Sequence, residues 1–193
     1  MEKNLNREIP LGQIRAVEGE ERTVELSFSS EEPYCRWWGM EILDHSPECM
    51  DLQRLNSIGC VLFNHNRDKV IAKIVKAWCE NNRGYAQIKF DDDEASDTIF
   101  KKVQGGTLKG VSVGYLVDVW ETVAANKKSS DGRFEGPCDI AKKWTPFEIS
   151  IVSIPADPTV GVGREMEGIG KADERTLDYF YRQLRINQNQ LGR

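Results

Sequence analysis

Histidine is scarce in this chain: His45 and His65 are the only two among 193 residues. A metal centre built on imidazole and thiolate needs three or four ligands, so the one suggestive pair, His45 with Cys49 four residues on, falls short. Cysteine is equally thin. Cys35, Cys49, Cys60, Cys79 and Cys138 form an odd set with irregular gaps and no C-x-x-C spacing, which speaks against a disulfide framework and a zinc cage and leaves free thiols. There is no block of Lys and Arg, and the net charge is -5, so a partner held through its phosphates, such as nucleic acid, is not expected. No uncharged run approaches the ~20 residues that span a bilayer, and the opening "MEKNLNREIPLG" has no apolar segment of signal-peptide length. These absences predict a chain of cytosolic origin with no membrane association. No internal repeat is visible.

What is present is the profile of one soluble globular domain, 39% hydrophobic and 30% charged. Residues 1–20 are polar and aperiodic and read as a flexible lead-in to a domain over 21–160, with a linker and C-terminal helix over 161–193. "RTVELSF" alternates Val24, Leu26 and Phe28 with polar residues, as a half-buried strand does. "YCRWWGMEIL" reads as a second strand, "DLQRLNSIG" as a short helical turn closed by Gly59, and "CVLFNHN" as a brief apolar run ending at His65. "KVIAKIVKAW" and "YAQIKFD", joined by "ENNRG", predict a hairpin. "DEASDTIFKKVQGG" changes period: Ala95, Ile99 and Val103 recur every four residues between an acidic start and a Gly-Gly stop, which predicts a helix. Two further strands, "TLKGVSVGYLVDVW" and "CDIAKKWTPFEISIVSIPADP", flank a polar and flexible loop, "AANKKSSDGRFEG". "DERTLDYFYRQLRINQ" places Leu177, Phe180, Tyr181 and Leu184 on one helical face. About six or seven strands without regular strand-helix alternation predict a mostly β fold, an antiparallel barrel or sandwich with flanking helices.

Gly110-Val111-Ser112-Val113-Gly114 matches G-x-S-x-G, the pattern of a hydrolase nucleophile elbow. The elbow itself is excluded, because "YLVDVW" continues as strand where a helix is required and both histidines precede the serine. On a strand, residues 110, 112 and 114 share one face, so Ser112 has glycine on either side, which predicts a shallow, open surface that another backbone can approach. An inert strand serine beside a barrel corner fits the same pattern, and the residues alone leave both readings open.

A serine nucleophile needs a base, and the base an orienting group. His65, at the end of an apolar run among Asn64, Asn66, Arg67 and Asp68, is the better placed histidine; His45 precedes a proline turn and is expected at the surface. Among acids, Glu148 is conspicuous in "TPFEISIVSIP", where Phe147, Ile149 and Ile151 define a buried face and Glu148 shares the other with Ser150. A solvent-facing edge glutamate accounts for it equally well. Asp68, Asp118 and Asp139 are the remaining candidates, and Ser150 and Ser153 serve as controls for Ser112.

The order of "LFNHN", "LKGVSVGY" and "FEISIVSIPADP" resembles the prohead maturation proteases of tailed bacteriophages, distant relatives of the herpesvirus assemblins. The resemblance runs from about Leu26 to Pro158, and the combination is more specific than any one piece. It implies an assemblin-like β-barrel core, no cofactor and no metal, with Ser112 as nucleophile, His65 as general base and Glu148 as the acid orienting His65. It further implies a serine endopeptidase that cleaves the scaffolding portion of the major capsid protein, and then itself, within the assembling prohead in the host cytoplasm. Self-association is compatible with that setting. A non-catalytic scaffold or assembly protein on the same fold, and a different serine hydrolase such as an esterase, are the alternatives. The oxyanion donors are left between backbone N–H groups near Gly114 and Arg133 from the polar loop.

Overall fold

The computed structural model describes residues 5–10, 15–17 and 19–153. Their elements, in chain order, are β1 (Leu5–Pro10), β2 (Arg15–Ala16), β3 (Thr23–Ser30), β4 (Tyr34–Arg36), β5 (Gly39–Leu43), α1 (Gln53–Ile58), β6 (Cys60–Phe63), β7 (Asn66–Glu80), β8 (Arg83–Phe90), α2 (Glu94–Gln104), β9 (Gly110–Val123) and β10 (Cys138–Val152). The linker and helix expected after residue 160 lie outside the described residues.

The strands form one sheet in the order β1-β9-β10-β6-β7-β8-β3-β2, with β5 on β10 and β4 on β5. Two features of the expected fold are corrected. The sheet is mixed rather than antiparallel, because β10 runs parallel to β5 through residues 139–141 and to β6 through residues 149–151. β5 and β6 thus share one edge of β10, end to end. The chain leaves that edge after Leu43, forms α1 and returns at Cys60, and such a crossover brings a strand back in the same direction, as a hairpin cannot. Among the described residues the sheet is also not a closed barrel: its hydrogen-bonded path begins at β1 and ends at β2, although β3 curls back to lie beside β1 and β9.

Among the described residues ten strands stand where about six or seven were expected, and β1 is the informative surplus. Residues 5–10, read as part of a flexible lead-in, pair antiparallel with β9, setting Glu8 opposite Ser112. The pairing uses main-chain N–H and C=O groups that β9 presents on its outer side, and these leave no trace in side-chain alternation.

Elsewhere the local signals agree with the fold. Asn81 and Asn82, both with positive φ, make the two-residue turn between β7 and β8, since asparagine tolerates the left-handed region that such turns demand. Asp93 caps α2, accepting from the N–H groups of Ala95 and Ser96, and buries Ile99 and Val103 on the inner face. The core gathers Leu26 and Phe28 from β3, Ile88 from β8, Val111 and Val113 from β9, and Ile149 and Ile151 from β10.

The polar loop between β9 and β10 makes several ion pairs. Arg133 pairs with Glu31 and Asp44, Lys142 bridges Asp44 and Asp131, and the main chains of Lys128 and Glu135 meet in an isolated antiparallel bridge. Burial alone would raise the Asp44 carboxyl, but hydrogen bonds from Lys142 and Ser46 outweigh it and hold it below the ordinary carboxylate range.

Candidate functional site

Strands β9, β10 and β6 lie side by side; Ser112 is on β9, Glu148 on β10, and His65 follows β6. The β9–β10 register pairs Gly114 with Glu148, Ser112 with Ser150 and Gly110 with Val152, so these side chains share a face. The apolar pairs Val113–Ile149 and Val111–Ile151 occupy the opposite face, in the core.

Glu148 reaches that face through a bulge. Pro146 opposes Tyr115 and Glu148 opposes Gly114, so two steps on β10 match one on β9. Without the extra residue Phe147 would stand opposite Gly114 and Glu148 would turn to the other side. Proline cannot donate to a ladder, and a bulge is where a central strand accommodates it. β10 is a central strand and Glu148 is only 9% exposed, so it is not a solvent-facing edge acid.

His65 lies beyond β10, in the two-residue turn that closes β6 on β7. Both Asn64 (φ 52°) and His65 (φ 57°) are in the left-handed region. Asparagine is at home there, whereas histidine bears a backbone cost of about 1–2 kcal/mol. The turn is strapped to β10: Asn64 N–H donates to the Ile151 carbonyl at 2.9 Å, and Ser153 N–H donates to Asn64 Oδ1 at 2.9 Å. His65 Nδ1 then meets Glu148 Oε1 at 2.6 Å. A carboxylate accepts only, so Nδ1 carries a hydrogen, and in the neutral ring the lone pair is then at Nε2.

The open surface expected around Ser112 is not there. A Cβ on Gly114 would stand 2.7 Å from Glu148 Cγ, 2.8 Å from Glu148 Oε1 and 2.9 Å from Phe147 Cε2, so the missing side chain makes room for the glutamate rather than for an incoming backbone. Ser112 itself is fully buried. Gly114→Ala is therefore expected to cost about 1–3 kcal/mol by overpacking and to push Glu148 off His65. Gly110→Ala, whose Cβ would meet the Val152 carbonyl at 2.7 Å, is the comparison. Denaturant midpoints should fall in both variants, and only Gly114→Ala should perturb the His65 Nδ1 proton resonance.

The other candidates are placed elsewhere. Asp68 and Asp118 are exposed, and Asp139 accepts from Thr122 Oγ1 at 2.6 Å. His45, expected at the surface, is 4% exposed: its Nε2 lies 2.7 Å from Ser29 Oγ and its Nδ1 2.8 Å from the Leu43 carbonyl. This second serine–histidine contact is oriented by a main-chain carbonyl, not a carboxylate, and packs edge-on against Trp144. Arg133, the other oxyanion candidate, is engaged by Glu31 and Asp44.

Burial, with the carboxylates of Glu148 and Asp91, pushes the Cys60 thiol above its ordinary range, which keeps it from competing as a nucleophile. Among the described residues no group of three or more His, Cys, Asp and Glu is arranged to hold a metal ion, and no helix is long and apolar enough to cross a membrane.

Two contacts were not read from the sequence, although Ser150 was placed on the Glu148 face. Ser150, fully buried, donates from Oγ to Glu148 Oε2 at 2.9 Å. Tyr115, next to Gly114, donates from its hydroxyl to the buried Glu41 carboxylate and accepts from Arg36 Nη2 at 2.6 Å, anchoring the β4–β5 hairpin to β9. Burial would lower the Arg36 guanidinium, but Tyr115 and Glu41 outweigh it and raise it.

Comparison with known proteins gives the following. The profile of a family described as caudovirus prohead serine protease matches residues 45–172. A protein named major capsid protein, from Halomonas phage phiHAP-1, is 36% identical over 146 residues; the match covers 74% of this chain and 23% of that protein, so the chain spans about a quarter of its relative's length. Among solved structures, the capsid assembly protease of bacteriophage T4 superposes with a TM-score of 0.50 at 12% identity, over 79% of this chain and 98% of that one. At that identity the likeness is one of fold.

Proposed function

Because this chain belongs to the caudovirus prohead serine protease family, we propose that it is a serine endopeptidase of phage capsid maturation in which Ser112 is the nucleophile, His65 the general base and Glu148 the acid that orients His65. The observation that carries this reading is the 2.6 Å contact of His65 Nδ1 with the buried Glu148, one strand across from Ser112. With its hydrogen held at Nδ1, the ring presents Nε2 as the proton acceptor. His65 takes the Ser112 proton as Oγ attacks the scissile carbonyl, then returns it to the leaving amine; Glu148 stabilises the imidazolium formed in between. The left-handed backbone of His65 supports the assignment, since such cost is tolerated where geometry is required.

The substrate we assign is the scaffolding portion of the major capsid protein, and then the chain itself, inside the assembling prohead. The support is that a similar region forms part of a protein named major capsid protein. A second reading, a non-catalytic assembly protein on this fold, is favoured by the complete burial of Ser112. Incubation with a fluorophosphonate probe and with the capsid precursor separates them. The protease labels at Ser112, releases defined fragments and is indifferent to chelators. An unlabelled, inactive chain that still binds the precursor would establish the assembly reading, and turnover of esters without peptides would make it an esterase.

A further inference from the structure

The hydroxyl of Ser150 closes a ring of hydrogen bonds around the proposed base. His65 N–H donates to Ser150 Oγ at 3.3 Å, Ser150 Oγ donates to Glu148 Oε2 at 2.9 Å, and Glu148 Oε1 accepts from His65 Nδ1 at 2.6 Å. Backbone and ring of one histidine are thereby tied to the two ends of a single carboxylate through one side chain. We infer that Ser150 is a positioning residue, fixing both the rotation of the Glu148 carboxylate and the placement of the His65 turn. This inference rests on the reading of His65 and Glu148 given above.

Three observations lead there. Ser150 is fully buried, so its hydroxyl has no solvent to fall back on, and its bonds are set by its neighbours. Its proton is directed at a carboxylate, a charge-assisted bond of the stronger kind. It also stands directly opposite Ser112 in the β9–β10 register, so the residue that holds Glu148 is the one beside the proposed nucleophile. A carboxylate held at one oxygen only can swing about its terminal torsion, which is broad and roughly two-fold. Holding the second oxygen removes that freedom and keeps Oε1 on Nδ1. Ser150 is therefore not a neutral control for Ser112, as its place in the sequence implied; Ser153, which donates to Asn64 Oδ1, is the appropriate one.

The test uses the full chain with Ser150→Ala, Ser150→Cys, Ser150→Thr and Ser153→Ala. Cysteine keeps the volume with a weak donor, and threonine keeps the hydroxyl. Ser150→Ala and Ser150→Cys are expected to lower kcat about 10- to 100-fold with KM within about twofold, the scale of one hydrogen bond to a charged group. Ser150→Thr should recover most of the rate. In parallel, the downfield Nδ1–H proton of His65, read by NMR, should shift or broaden in the Ala and Cys variants and stay in place in Ser150→Thr and Ser153→Ala. If Ser150→Ala does not fold, the Cys and Thr pair decides. A kcat within twofold of wild type in the Cys variant overturns the proposal, as does a loss of rate with the Nδ1–H resonance unmoved. The NMR comparison needs no turnover, so a wild-type chain that cleaves nothing would sink the proposed protease while leaving Ser150 still answerable.

Discussion

Ser112→Ala is expected to remove nearly all peptidase activity, by up to ~10⁶ as for residues that act as a unit, while leaving the fold intact. The structural cost is small because the change only removes a hydroxyl, in a strand whose core contacts come from Val111 and Val113 on the other face. The check is cleavage of the capsid precursor beside thermal melting and fluorophosphonate labelling. Ser153→Ala, the paired control, should label and cleave as wild type does. Residual turnover near the wild-type rate in a folded Ser112→Ala protein would end the assignment of the nucleophile.

Glu148→Gln is the second large effect expected, a loss of about 10⁴ in turnover, the scale seen where a carboxylate orienting a catalytic histidine becomes an amide. Both carboxylate oxygens accept here, Oε1 from His65 and Oε2 from Ser150. An amide has one acceptor oxygen. If its NH₂ faces Nδ1, the ring must carry its hydrogen at Nε2, where it cannot take the Ser112 proton. If its NH₂ faces Ser150, that hydroxyl loses its carboxylate acceptor and the ring loses the anion that stabilises imidazolium. Asp68→Asn and Asp118→Asn at exposed positions, and Asp139→Asn at a carboxylate engaged by Thr122, should each alter stability by no more than ~0.5 kcal/mol and turnover hardly at all. Sensitivity at one of these aspartates, with Glu148→Gln near normal, would move the third role; insensitivity at all four would leave a Ser112–His65 dyad.

Cases in which one segment supplies its own cause were legible from the residues. The period of Ala95, Ile99 and Val103 with the Asp93 cap fixes α2, and Asn81-Asn82 fixes the β7–β8 turn, because capping and left-handed turn geometry are settled within a few bonds. The placement of His65 at a strand end and of Glu148 on an apolar strand was readable for the same reason. Their meeting was not. It depends on the Pro146–Glu148 bulge, which reverses the facing of Glu148, and on the parallel entry of β6 beside β10. Alternation with Ile149 and Ile151 sets the face of Glu148 and Ser150, but not which strands β10 pairs with or in what register.

Main-chain pairing was hidden in the same way. The polar N-terminal residues form β1 because β9 offers an unsatisfied edge, and His45 is buried because Ser29, Leu43 and Trp144 surround it, although its sequence neighbours are polar. The sequence by itself determined strands β3 and β6 to β10, the helices α1 and α2 and the β7–β8 turn, along with a shortage of bases that points to His65. Only the tertiary structure decided which acid His65 meets, that Gly114 makes room for that acid, and that Ser150 joins them. Hydrogen bonds across 83 to 85 residues of chain follow from sheet register, and register is a property of the packed whole.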